Sequence, residues 1–264
     1  MTASPKWDDL AVRLGSAAAL AIVALLSMWI GGDVFHVFIA VACGMMVWET
    51  VRMIAPAARR EAVILGVLAG VALMVAWLLP EGLALPLLFL PAFAGLGLMP
   101  TRRRYYVPFT VLIVLAGWGL ASLRDDFGFS WMLWLALVVV VTDVFGYFAG
   151  RTLGGPKFWP RVSPKKTWSG TVAGWIAAAF VGLAWMVAGE AGVEIIGISI
   201  ALSMASQMGD IAESAMKRRM GVKDSSNVLP GHGGVFDRFD GMLGASMLLL
   251  VATPVVDFPP PPIL

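Results

Sequence analysis

Charge is what this sequence has least of for its length. Of 264 residues, only 14% are Asp, Glu, Lys or Arg, while 59% are hydrophobic and the mean hydropathy is +0.84. That leaves too little polar surface to cover a water-soluble globule, and it excludes a soluble enzyme or binding domain. Cysteine is almost absent. The single Cys43 lies within an apolar run, so no intrachain disulfide can form, metal–thiolate chemistry has no support, and a small buried apolar role is expected. Histidine occurs only at His36 and His232. There is no internal repeat and no separate soluble domain. The opening segment lacks a basic stretch followed by a short apolar core and a small-residue cleavage site, so its first apolar run is expected to be a retained helix.

What is present is a succession of apolar runs. A helix needs about 20 apolar residues to cross the hydrocarbon core. Nine candidate spans meet or approach that length, at roughly 12–30, 34–53, 62–79, 83–99, 106–123, 129–149, 170–188, 193–211 and 241–257. Strands of a barrel would be half as long and would alternate. The fourth span is the weakest, being short and interrupted by Pro86 and Pro91, although membrane helices tolerate proline where neighbours satisfy the freed carbonyls.

Charge placement tests that count. With nine spans, eighteen of the nineteen Lys and Arg residues fall on one side, leaving only Arg124 on the other with Asp33, Glu81, Asp125, Asp126, Glu190, Glu194 and Asp257. The positive-inside rule makes the basic side cytoplasmic. The expected fold class is an all-α polytopic membrane protein of about nine transmembrane helices, N-terminus cytoplasmic and C-terminus extracytoplasmic. Residues 1–128 are expected to form a scaffold of about five helices. Residues 129–258 form a catalytic region with cytoplasmic loops 150–169 and 212–240, and residues 259–264 form a proline-rich disordered tail. In the scaffold, His36 and Glu49 are the ionisable residues at depth, and an interfacial or helix-packing role is expected for both.

Chemistry concentrates after residue 140. Asp143 sits within an otherwise apolar helix, where an ionised carboxylate costs several kcal/mol unless a cation or donor meets it. Tyr147 lies four residues on, on the same face, and Gly146 with Gly150 makes an adjacent stripe that lets a neighbouring helix approach. The next loop holds five basic residues, Arg151, Lys157, Arg161, Lys165 and Lys166, and no acidic one. Its end, SPKKTWSG, sets Ser163, Lys165, Lys166 and Thr167 directly before a helix whose N-terminal amides favour an anion. Lysines and hydroxyls at a helix start bind phosphate well.

The eighth run ends with Asp210, Glu213 and Lys217 on one face, a carboxylate pair followed one turn later by a cation. After Gly221 comes the loop KDSSNVLPGHGG, in which the backbone amides of Gly233 and Gly234 could crowd a phosphate. DRFDG then opens the ninth helix with Asp237 and Asp240 on one face. Carboxylates beside lysines, arginines and a glycine loop suit a divalent cation with basic groups holding phosphates, and an all-oxygen ligand set suits magnesium. The alternative, that these charges only pair into salt bridges rimming the membrane, is left open by charge counting.

At these residues the sequence resembles a known family. Ser214, Lys217, Arg218, Lys223, Asp224, Ser226, Leu229, Pro230, His232, Gly233, Gly234, Asp237, Arg238 and Asp240 fit, without a gap, the long signature of the phosphatidate cytidylyltransferases, or CDP-diacylglycerol synthases. Upstream, TDVFGYFAGRTLGGPKFWPRVSPKKTWSG is similar to a second block of that family. One departure is Ser169, where the family usually has Glu, which puts a ligand-contacting role at that position in doubt.

The resemblance implies transfer of CMP from CTP to phosphatidate in the bilayer, with Mg²⁺ as cofactor. The implied partners are the two substrates and the lipid bilayer, with a homodimer allowed and no nucleic acid. The implied location is a bacterial cytoplasmic (inner) membrane, with the active site facing the cytoplasm. Asp210 and Asp237 are the first choices for metal ligands, with Asp143 and Asp240 next, as ligands or their partners. Lys165, Lys166, Lys217, Arg218 and Arg238 are expected to hold phosphates, with Arg151 and Tyr147 nearby, and Ser163 and Thr167 to donate to phosphate oxygens. Lys223 with Asp224 is either a nucleotide-contacting pair or a loop-fixing salt bridge. His232 either orients a phosphate or metal ligand or shapes the glycine loop. Phe158, Trp159 and Trp168 are available for base stacking or for interfacial anchoring. Two other functions share some of these features: a CTP-dependent lipid kinase of the polyprenol or phytol type, and a cation transporter, for which midplane carboxylates and inverted repeats would be expected.

Overall fold

The computed structural model describes residues 6–99, 101–229, 231–256 and 258. The tail at 259–264, together with Asp257 and Pro230, lies outside the described residues. The chain is predominantly helical and divides into two compact units, Met1–Val114 with Met220–Arg238, and Leu115–Arg219 with Phe239–Leu264.

The first unit is built from α1 (Lys6–Ile30), α2 (Gly32–Ile54), α3 (Arg59–Ala76), α4 (Glu81–Leu88), α5 (Leu90–Leu98) and the start of α6 (Arg103–Thr152). Helices α2 and α3 pack closely because glycines face each other. A Cβ on Gly44 would come within 2.8 Å of the Gly66 carbonyl oxygen, and one on Gly66 within 2.7 Å of the Gly44 oxygen. Phe35, Ile39, Met46, Val47 and Leu65 are buried there. Cys43 is buried as expected, its thiol 3.5 Å from the Ile113 carbonyl. His36 stacks on Trp77 with ring centroids 4.3 Å apart, a packing contact. The interrupted fourth run is two short helices, with Pro86 inside α4 and Pro91 in the first turn of α5.

The second unit holds the rest of α6, a hairpin of β1 (Lys157–Trp159) and β2 (Ser163–Thr167), α7 (Trp168–Val187), α8 (Glu194–Met220) and most of α9 (Phe236–Val256). The 50 residues of α6 join the two runs expected at 106–123 and 129–149, and they break only at Gly128. That residue has φ +86°, open to glycine at little steric cost. A whole interhelical loop is thereby reduced to one kink. Trp134 is fully buried, and its indole donates to Ser199 Oγ at 3.0 Å. The Thr142 hydroxyl lies 2.7 Å from Ser203 Oγ.

The hairpin corrects the all-α expectation. It pairs Lys157 with Thr167 and Trp159 with Ser163 in antiparallel register, within a segment the sequence pattern assigns to loop. Phe158, Trp159 and Thr167 favour strands, and Pro160 sits in the connecting turn, where it gives up no ladder bond. Among the described residues, four helices are long and apolar enough to cross a membrane by length and composition: α2, α6, α7 and α8.

Candidate active site

Three local devices position the polar side chains of the second unit. Thr167 caps α7, its hydroxyl accepting from the Gly170 amide at 3.3 Å. Gly146 and Gly150, the stripe singled out on α6, meet the start of α7: a Cβ on Gly146 would lie 3.3 Å from the Gly170 oxygen, and one on Gly150 2.9 Å from Thr167 Oγ1. On α8 and α9, Gly209 and Gly244 face each other, so that a Cβ on either would come within 3.1 Å of the other's backbone. This crossing brings Asp210 and Asp240, the neighbours of that contact, together.

The result is a cavity of about 510 Å³. Its walls carry the carboxylates of Asp143 and Asp210, the cations of Arg151, Lys157, Lys165 and Lys166, and the polar side chains of Tyr147, Thr167, Thr171 and Gln207. Four cations against two carboxylates favour an anionic occupant. Seven residues that sequence reasoning placed at a site line this one space: Asp143, Tyr147, Arg151, Lys165, Lys166, Thr167 and Asp210. Arg151 Nη1 donates to the Tyr147 hydroxyl at 3.2 Å, fixing both at the cavity wall.

Beside it is an acidic cluster. Asp210, Glu213 and Asp240 each present an oxygen within 4.8 Å of the others. Carboxylates this near one another repel unless cations neutralise them. Two lysines contribute: Lys166 Nζ lies 2.5 Å from Asp210 Oδ2, and Lys217 is ion-paired with Glu213. Three carboxylates against two lysines leave a negative site of hard oxygen donors, and this donor set fits a divalent metal. Ser214 donates to Asp210 Oδ1 at 3.1 Å, so both oxygens of Asp210 have a partner. Arg218, in the last turn of α8, is exposed.

The remaining signature residues belong to the first unit, in the segment 221–238. There Asp237 Oδ2 accepts from the amides of Ser225 and Gly234 and from the Ser225 hydroxyl, all at 2.8 Å. Asp237 therefore ties the start of α9 to the loop before it. The amide of Gly234, expected to crowd a phosphate, is the one committed to this carboxylate. Gly233 has φ +80°, a conformation suited to glycine, and its carbonyl accepts from the Leu229 amide at 2.9 Å. His232 Nδ1 lies 2.8 Å from Ser16 Oγ on α1. Lys223, Asp224 and Arg238 are exposed, and no ion pair joins Lys223 to Asp224 among the described residues.

Sequence reasoning passed over four residues. Glu213 shares the face of Asp210, but in sequence it pairs with Lys217 and nothing marks it as a ligand. Lys157 was one basic residue of a loop. Gln207, which donates to the Thr171 carbonyl and accepts from the Trp175 indole, carries no charge to mark it. Glu49 was assigned to helix packing. Ser169, where the resemblance departs, lies outside the cavity lining and hydrogen-bonds the Gly154 carbonyl and Thr167 Oγ1.

A model of the Cytidylyltransferase family matches residues 11–255. The chain belongs to the cytidylyltransferase family. A Brucella abortus biovar 1 (strain 9-941) protein named phosphatidate cytidylyltransferase is 37% identical over 260 residues, covering 92% of this chain and 92% of that protein. Proteins of the same name match over shorter stretches. One from Staphylococcus saprophyticus is 43% identical over 125 residues, 46% of this chain and 48% of its own. One from Bacillus subtilis (strain 168) is 39% identical over 122 residues, 45% of each. This cytidylyltransferase-family chain thus shares nearly full-length similarity with a relative named for the activity that its own signature implies.

Proposed function

We propose that the chain transfers CMP from CTP to phosphatidate, forming CDP-diacylglycerol and pyrophosphate. The observation that carries this is the basic cavity of the second unit with the acidic cluster beside it, in a chain with helices apolar enough to lie in a bilayer. The family match and the full-length relative support the same reading.

The phosphate of phosphatidate is already ionised at neutral pH. One of its oxygens attacks the α-phosphorus of CTP, a P–O bond forms, and the bond to the β-phosphate breaks with its electron pair leaving on pyrophosphate. No strong general base is required. The barrier is repulsion between two polyanions and the charge gathering on the departing pyrophosphate, which positioned cations relieve. Lys165, Lys166 and Arg151, with Lys157, hold phosphates. Thr167, which caps α7, and Ser163 donate to phosphate oxygens. Asp210 and Asp240, joined by Glu213, are the residues that would hold Mg²⁺. When bound, this ion would neutralise phosphate charge. Asp143 serves as a further ligand or as its hydrogen-bonding partner.

For the signature segment the proposal rests on the sequence pattern. Asp237 is a further candidate ligand, Lys217, Arg218 and Arg238 contact phosphates, and Lys223 with Asp224 contacts nucleotide. Gly233 and Gly234 shape their loop, and His232 orients a ligand. The nine-span topology, the cytoplasmic placement of the site at a bacterial inner membrane, the catalytic region at 129–258 and a homodimer belong to the same proposal. So does lateral entry of the lipid from the inner leaflet.

The test is pyrophosphate release by the purified protein with CTP and magnesium. Release that requires phosphatidate supports the reading. Formation of CDP and a phosphorylated lipid with a polyprenol or phytol instead, or no pyrophosphate release at all, would overturn it.

A further inference from the structure

Glu49 lies in α2, far in sequence from every residue assigned to chemistry, and it is completely buried. A carboxylate in an apolar helix has to be met by donors. Here all the donors come from one segment of the first unit. Oε1 accepts from the Ser226 hydroxyl at 2.6 Å and from the Val235 amide at 2.9 Å. Oε2 accepts from the Phe236 amide at 2.7 Å. The Ser225 hydroxyl, 3.2 Å from Oε2 and 2.8 Å from Asp237 Oδ2, sits between the two carboxylates.

The Phe236 amide opens α9 and the Val235 amide immediately precedes it, at a helix start where backbone N–H groups have no partner within the helix and a negative charge is favoured. Glu49 therefore caps that helix from another helix, while its contacts with the two serines hold the loop that leads into it. Gly234 fits the same arrangement, because a Cβ there would collide with Glu49 Oε1 and Ser225 Oγ. The glycine run is thus shaped to admit the glutamate. The segment gripped in this way carries Lys223, Asp224, His232 and Asp237.

We infer that Glu49 is a positioning residue for the reaction: its carboxylate sets the conformation of loop 221–236, and through it the signature side chains. The inference rests on the proposed activity for its kinetic part only. A residue that merely stabilised the bundle would lower the folded yield without changing the turnover of what folds. A positioning residue changes the loop and the turnover of well-folded protein.

Glu49→Gln keeps the shape but turns one oxygen into an amino group, which opposes a backbone N–H of Val235 or Phe236 that cannot reorient. Ser226→Ala removes a single donor to the same carboxylate and disturbs the bundle less. Full-length proteins in detergent would be compared by peptide-level hydrogen exchange and by steady-state CMP transfer. The expected result is faster exchange confined to 221–236 in both variants, with kcat lowered about tenfold or more in Glu49→Gln and about threefold in Ser226→Ala. The double variant should be no worse than Glu49→Gln alone, because both act through one contact. If Glu49→Gln fails to fold, Ser226→Ala decides by the same two readouts. Unchanged loop exchange, unchanged kcat in a well-folded variant, or losses that multiply in the double variant would overturn the inference. A wild-type protein without CMP transfer would sink the proposed activity instead, and loop exchange would still decide whether Glu49 holds the segment.

Discussion

Lys166 Nζ lies 2.5 Å from Asp210 Oδ2, with 24% and 28% of the two side chains exposed. The pair joins the strand that leads into α7 to α8. It also joins the two halves of the proposed chemistry, since Lys166 lines the basic cavity and Asp210 belongs to the acidic cluster. Replacing Lys166 with Ala removes the proposed phosphate contact and leaves Asp210 less compensated. The expected outcome is a KM for CTP or phosphatidate raised about tenfold, with a smaller effect for Lys166→Arg, which keeps the charge. Steady-state kinetics against each substrate check it, and unchanged constants would remove Lys166 from the site.

Asp210→Asn and Asp240→Asn each delete a charge from the cluster while keeping its shape. Activity should fall about a hundredfold or more at any magnesium concentration, with membrane insertion unaffected. Glu213→Gln should instead move the magnesium midpoint upward by about tenfold. A magnesium titration on each variant separates these outcomes, and wild-type titration curves would count against the ligand roles.

The approach of α8 to α9 depends on Gly209 and Gly244. An Ala at either would press a methyl group onto backbone rather than onto a yielding side chain. The expected cost is about 1–3 kcal/mol of stability. Weaker magnesium binding, seen as a higher magnesium midpoint, should accompany it, because the same crossing sets the spacing of Asp210 and Asp240. Thermal unfolding in detergent and magnesium titration read the two effects. A Gly209→Ala protein as stable as wild type would contradict the packing.

Ser169 hydrogen-bonds Thr167 and the Gly154 carbonyl, outside the cavity lining. Ser169→Ala should lower stability by about 1 kcal/mol and leave kcat and KM near wild type. A large kinetic loss would show that the position contacts substrate even without the glutamate usual in the family.

Much of this site could be read from the sequence, because an ionisable residue stands out in an apolar background. Asp143 stands out by the cost of a carboxylate in an apolar helix, Asp210 by sharing one helix face with Glu213 and Lys217, and the lysines before α7 by their crowding at a helix start. Gly146 and Gly150 were marked by their spacing. What escaped depends on contacts that no local pattern encodes. Glu49 meets its donors across 176 to 187 residues of chain, so on its own helix it looks like a packing residue. Gln207 is neutral, and its role follows from pointing at Trp175 and Thr171. The hairpin was hidden because two strands of three and five residues in a basic, proline-containing segment give too short an alternation to register. The single-residue kink at Gly128 looks in sequence like a gap between the runs at 106–123 and 129–149, since hydropathy records where charge interrupts a run and not whether the backbone stops being helical.

The central claim is that the α-phosphorus of CTP becomes bonded to phosphatidate. The direct measurement is a pair of incubations of the purified protein with phosphatidate and magnesium, one with CTP labelled at the α-phosphate and one with the label at the γ-phosphate, followed by lipid extraction. The account predicts α-label in the lipid phase and γ-label left entirely in aqueous pyrophosphate. Label from the γ-position in the lipid, or none from the α-position, would contradict it.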